Sequence, residues 1–251
     1  MTRVFVIESL GGMLFGMSSF GRFAISVASL LCFVGCESVS VDDSPQSRTV
    51  PMTLCILHDG LAANVGEEAR NEMLQGHHAR RVELAQAGHL LLAGPFDRSR
   101  EISNSGLRGL YVFDTGDLEQ ARAWAQSDPS VAGGLFRADL LPMNGPVALR
   151  RVNDLHVAMV EALPAEEQQE LASGIAQYTV ALGQLASPEF PSSLDGRRVV
   201  VRAKLVDGRD VAIFDEVDVE TVRQRVGEDF SVYPWASTKA LRDLGADPQG
   251  D

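Results

Sequence analysis

The sequence predicts an α+β chain of tandem ferredoxin-like (βαββαβ) units that pair within the chain as a dimeric α/β-barrel-like pseudodimer. Three observations predict it. Short apolar runs closed by Asp-Gly or Gly-Pro alternate with longer stretches of helical spacing. This order of patterns runs twice after residue 50, and 251 residues at 45% apolar content suffice for two small cores. An antiparallel four-stranded sheet with its helices on one face leaves the other face bare, and two such sheets in one chain cover each other.

The elements follow in order. Thr53 to His58 is an apolar run ended by Asp59-Gly60, which reads as a buried strand and a turn. Between Gly66 and Ala87, the residues Ala69, Met73, His77, Leu84 and Ala87 recur at helical spacing, and Gly88 stops the helix where a left-handed cap needs no side chain. His89 to Ala93 is the second strand, closed by Gly94-Pro95, and Gly109 to Phe113 is the third. Asp114-Thr115-Gly116-Asp117 supplies an N-cap for a helix over Leu118 to Gln126, and Leu135 to Leu141 is the fourth strand.

After Pro146 the same order returns. Leu155 to Glu161 is strand-like, and Pro164 with Glu166-Glu167 opens a helix running to Leu185. Arg198 to Leu205 and Asp210 to Asp215 are strands joined through Asp207-Gly208, Val219 to Val226 is helical, and Phe230 to Trp235 closes the unit. The reading is a diverged duplication with units at 51–145 and 150–240 and a tail at 241–251. A different α+β domain sharing the element order is the alternative.

The first 36 residues read as an address. Arg22 precedes an apolar run from Phe23 to Gly35, too short for a hydrocarbon core of about 30 Å but suited to the h-region of an export signal. The run ends in Phe33-Val34-Gly35-Cys36, which resembles a bacterial lipobox with Phe33 in place of the usual Leu. Residues 1–36 are therefore expected to be a lipoprotein signal peptide and Cys36 its lipidated cysteine; a short membrane anchor or a buried helix is the other reading. A start at Met17 gives a more usual signal length than Met1. Residues 37–50 read as a flexible tether. The expected location is the cell envelope, with the chain lipid-anchored to a membrane and facing the periplasm or exterior.

Charge and cysteine usage exclude other classes. Asp and Glu number 34 against 22 Lys and Arg, a net charge of −12, so no nucleic-acid partner is expected. Cys32, Cys36 and Cys55 form no CxxC pair and no Cys/His cluster at zinc spacing, so neither a disulfide framework nor a metal holds the fold. Cys55, mid-strand, reads as a small buried hydrophobe.

Two stretches of the first unit carry a family signature. His77-His78 with the later Leu90-Leu91-Leu92-Ala93-Gly94-Pro95, and Ala123-Trp124-Ala125-Gln126-Ser127-Asp128-Pro129 followed by Gly133, resemble the YciI-related (YCII) domain over about residues 53 to 143. The resemblance implies an α/β barrel of ferredoxin-like units similar to muconolactone isomerases, with a His–Asp site. The family's spacing to Gly94-Pro95 selects His77 rather than His78. One departure stands out: where family members commonly carry Gly-Ser at the start of strand three, with the hydroxyl facing the cleft, this chain has Gly109-Leu110. The second unit has no histidine between Pro164 and Leu185 and no Asp-Pro after its second helix, which leaves the site to the first unit.

The residues point the same way. Helical spacing puts His77 in line with Met73 and Leu84 on the sheet-facing side and turns His78 about 100° toward solvent. An imidazole exchanges protons near neutral pH and needs a partner on its other nitrogen to fix the tautomer; Asp128 is the candidate. Asp59, at the end of the first strand, and Arg81, on the first helix, are candidate substrate-binding groups. Plainer roles fit as well: a satisfied core histidine, a turn aspartate at 128, a turn at Asp59-Gly60, a solvated helix face for Arg80 and Arg81. The expected activity is a lyase or isomerase acting on a small organic molecule by His–Asp proton transfer, without cofactor or metal, the second unit walling the pocket. A non-catalytic ligand-binding or structural envelope module is the alternative.

Overall fold

The computed structural model describes residues 48–62, 65–100, 106–164, 174–183 and 199–244. The predicted signal peptide, Cys36 and the tether up to residue 47 lie outside the described residues, as does the tail from 245. The described residues all belong to one compact unit.

The elements are β1 (Thr49–Asp59), α1 (Glu67–Gln86), β2 (Leu90–Pro95), β3 (Leu107–Phe113), α2 (Leu118–Gln126), the single turn α3 (Pro129–Ala132) and β4 (Phe136–Pro146). They continue with α4 (Val152–Glu161), β5 (Ile175–Gly183), β6 (Val199–Leu205), β7 (Asp210–Phe214), α5 (Val219–Val226) and β8 (Phe230–Thr238). In the first half the predicted order holds and α2 has its predicted bounds, while β4 runs further, to Pro146, paired along its length with β1. Gly88, at φ 73°, makes the left-handed turn that ends α1.

The second half differs in two places. Leu155 to Glu161, expected as a strand, belongs to helix α4. A short apolar run without Gly or Pro fits either state, and here Val152 and Leu155 turn one helical face to the core while Val157 stays exposed. Within Pro164 to Leu185, expected as a helix, Ile175–Gly183 is strand β5 and residues 165–173 lie outside the described residues. Tyr178, Thr179 and Val180 are all buried because β5 lies between β7 and β8 and is covered on both faces, so no alternation marks it in the sequence. The hairpin at Gly208 and helix α5 stand where predicted.

The eight strands form one antiparallel sheet in the order β2-β3-β1-β4-β6-β7-β5-β8. The first four strands have the ferredoxin-like order, and the last four repeat its permutation. The halves join through a two-pair ladder, Met143 with Leu205 and Asn144 with Lys204. The sheet then curls until its outer edges nearly close: Phe96 bridges Trp235, and Trp235 Nε1 donates to the Gly94 carbonyl at 2.9 Å. A Cβ at Gly94 would lie 1.9 Å from the Ala236 carbonyl oxygen, so this approach of β2 to β8 requires glycine.

Alternation along the strands separates two layers. Leu54 and Ile56 of β1 and Leu110 and Val112 of β3 point inward and pack with Tyr178, Val180, Val201 and Trp235 of the other half. Cys55, Leu57, Tyr111 and Phe113 point outward, beneath α1 and α2. Cys55 is wholly buried there, as its sequence context predicts.

Candidate active site

The site lies in the outer layer, where α1 crosses the sheet. His77 and Leu84 are the buried residues of α1, and His78 is exposed, as helical spacing requires. Asp128 follows α2 and caps α3: its Oδ1 accepts from Ser130 N at 2.9 Å, and Pro129 stands at the first helical position with φ already suited to it. Ser130 Oγ in turn donates to the Met73 carbonyl at 3.0 Å, which fastens α3 to α1 one turn before His77.

This fastening brings the two predicted residues together. His77 Nδ1 lies 2.6 Å from Asp128 Oδ2, with the residues only 7% and 3% exposed. A carboxylate only accepts, so Nδ1 carries a proton toward Asp128, and in the neutral ring Nε2 is then the acceptor. Tyr111, on the outward face of β3, stacks near the imidazole and places its hydroxyl 3.2 Å from Nε2 and 3.4 Å from Nδ1, over the ring face. Burial, reinforced by the charge of Asp128, pushes the Tyr111 phenol above its ordinary range, which keeps it an O–H donor. Phe136 sets its ring edgewise to His77 at 5.3 Å and completes the wall. A carboxylate, an imidazole and a phenol thus meet in one buried cluster.

Residues 52–144 match the YCII-related domain family. The match spans β1 through most of β4, and both segments that carry the resemblance lie within this YCII-related region. Its motif residues have visible work in the packing. Trp124 stacks on His89 at 4.4 Å and holds α2 over the start of β2, and a Cβ at Gly133 would strike Met73. No curated protein matches the chain.

The other predicted site residues are placed differently. Asp59 is ion-paired with Arg108 across the β1–β3 strand ends. Arg80 bonds Ser127 Oγ and Glu83, both at 2.7 Å. Arg81 lines a groove of about 460 Å³ between α1, β2, α4 and β8, and its Nε is buried without a hydrogen-bond partner. The expectation that the C-terminal half walls the pocket around His77 is corrected: that half covers the inner face of the sheet, whereas His77 and Asp128 stand on the outer one. Leu110 also faces inward, so the side chain at that position does not meet His77. The hydroxyl at the imidazole comes from Tyr111, one residue on. Sequence reasoning missed it, because β3 is apolar on both faces and no alternation singles Tyr111 out.

Among the described residues no group of three or more His, Cys, Asp or Glu side chains could hold a metal ion, and no helix is long and apolar enough to cross a membrane.

Proposed function

We propose that this chain is a YCII-type lyase or isomerase in which His77 moves a proton at a carbon next to a carbonyl or enol of a small organic molecule. The observation that carries the reading is the buried 2.6 Å contact between His77 Nδ1 and Asp128 Oδ2, with the Tyr111 hydroxyl beside the imidazole. In this scheme Nε2 takes the proton as the C–H bond breaks, and Asp128 stabilises the imidazolium. Tyr111 donates to the oxygen on which negative charge develops. The electron pair either returns to carbon at a new position, with the proton given back, or forms a double bond as a leaving group departs. Neither course needs an added oxidant or reductant.

The wider organisation we propose is a lipid-anchored protein of the cell envelope, held to a membrane through Cys36 after removal of residues 1–36 and facing the periplasm or exterior. The repeated strand order supports an origin by duplication, in which the downstream half acts as an intrachain partner that covers the sheet of the YCII-related half. The proposed partner of the site is a small-molecule ligand.

Hydrogen–deuterium exchange tests the activity without a known substrate. The protein in D2O is incubated with a panel of small enols, β-hydroxy ketones and unsaturated lactones, and loss of carbon-bound protons is followed by NMR. The reading predicts exchange above buffer with at least one compound, lost in His77→Gln and reduced in Asp128→Asn. A second reading, a structural or binding module, is favoured by the burial of the pair and by the role of Asp128 as the cap of α3. It predicts no exchange from folded wild-type protein and a loss of stability in both variants.

A further inference from the structure

The inner layer contains a cavity that the His77 site does not use. It measures about 250 Å³ and lies between the two halves of the sheet, with Leu54, Ile56 and Leu110 on one side and Val180, Leu182 and Val211 on the other. Its polar end follows from strand register. His58 is the next inward residue of β1 after Ile56, and Asp139 of β4 is paired with Ile56, so the two side chains converge at the end of the strands. His58 Nε2 lies 2.9 Å from Asp139 Oδ2.

The chemistry at this end is narrowly defined. Asp139 is bonded to Arg137 as well as His58, and Arg209, which also lines the cavity, is held through Nε and Nη2 by Asp207. These charges are compensated within the protein, so the end makes no net demand for an ion. Burial lowers the pKa of His58 below the ordinary histidine value, which leaves the ring neutral at pH 7. Asp139 accepts from Nε2–H, so Nδ1 of the neutral ring is an acceptor. What it seeks is an O–H or N–H donor. As to size, an apolar cavity of about 150 Å³ stays dry and admits benzene, so this one takes a six-membered ring with a few further atoms.

We propose that the space between the two sheet halves is a binding site for a small, largely apolar alcohol of single-ring size. Its body contacts Ile56, Leu110 and Val180, and its hydroxyl donates to His58 Nδ1. The site is separate from the His77–Asp128 pair, which stands on the opposite face of the sheet, and does not depend on proton-transfer chemistry there.

Methyl NMR of the full chain, carrying Cys36→Ser to keep it free of lipid, tests the proposal with cyclohexanol, cyclohexanone and cyclohexanecarboxylate as probes. These share a ring and differ in the head: a donor, an acceptor only and an anion. The expected result is a saturable shift of the Ile56, Leu110 and Val180 methyls, with cyclohexanol bound roughly tenfold more tightly than cyclohexanone. His58→Phe should erase that preference while leaving the methyl spectrum folded. Three results would overturn the proposal: shifts confined to the groove residues Leu90 and Val157, equal affinity for alcohol and ketone in the wild type, or strongest binding of the carboxylate.

Discussion

The YCII-related half holds two histidine–aspartate pairs on opposite faces of one sheet, and they are built for different work. His77 meets Asp128 through Nδ1 at 2.6 Å in the outer layer, while His58 meets Asp139 through Nε2 at 2.9 Å at the inner strand ends. The outer pair is buried: Asp128 has a second fixed partner in Ser130 N, and the Tyr111 ring stacks near His77 with its hydroxyl close to both imidazole nitrogens. The inner pair is partly exposed, its carboxylate shared with Arg137, and the ring borders a cavity. The contrast shows that a His–Asp contact alone does not define a role. Its surroundings decide: a buried ring held through one nitrogen by a capped carboxylate suits proton transfer or architecture, and a ring with one free nitrogen beside an apolar space suits recognition. Cys55 lies between them, and its thiol is pushed up to about 12 by burial first, then by the charges of Asp128 and Asp139.

The largest expected effect separates the pairs by stability. Asp128→Ala removes a buried partner and a helix cap, and should lower unfolding free energy by about 3 kcal/mol or more. Asp139→Ala removes a partly exposed partner and should cost less than about 1 kcal/mol. Urea denaturation of both variants checks this, and equal losses would break the comparison. Next, Tyr111→Phe should cost about 1 kcal/mol by removing a buried hydroxyl beside the His77 ring, measured the same way.

A smaller effect concerns acid. His58 and His156 are both held below the ordinary histidine pKa, burial being the main cause. The unfolded chain therefore binds protons before the folded one does. Neither group affects stability well above pH 6.5, and each contributes a loss as pH falls through the unfolded value toward the folded one. Ring-proton NMR should place the His58 titration below 6.5. Asp139→Asn should lower it further, because Asp139 is what raises it. A rise would contradict the inner-pair geometry. The smallest effect is a null one: iodoacetamide at pH 8 should leave Cys55 unlabelled in the folded chain, as judged by mass spectrometry of its peptide, and label it on unfolding.

The outer pair is legible in the sequence because the family resemblance implies a His–Asp site and local rules choose its members. Helical spacing selected His77 over His78, and an aspartate before proline at the end of α2 marked a turn. Tyr111 was missed because strand β3 is apolar on both faces, so its one polar atom did not stand out from Leu110, Val112 and Phe113. The same cause hid β5: Tyr178, Thr179 and Val180 are covered on both sides, and without alternation the segment was read as a helix. Leu155 to Glu161 failed in the opposite direction, since an apolar run takes its secondary structure from what packs against it. Which face the second half covers, and hence that the cavity adjoins His58 rather than His77, follows from strand order and edge closure that no single segment encodes.

The proposed proton transfer depends on one arrangement of protons at His77. Nitrogen-15 NMR of the imidazole tests it directly: the prediction is a ring protonated at Nδ1 with Nε2 as acceptor, and a strongly downfield Nδ1 proton that disappears in Asp128→Asn. A ring protonated at Nε2 in the wild type, or a downfield proton unchanged by that substitution, would contradict it.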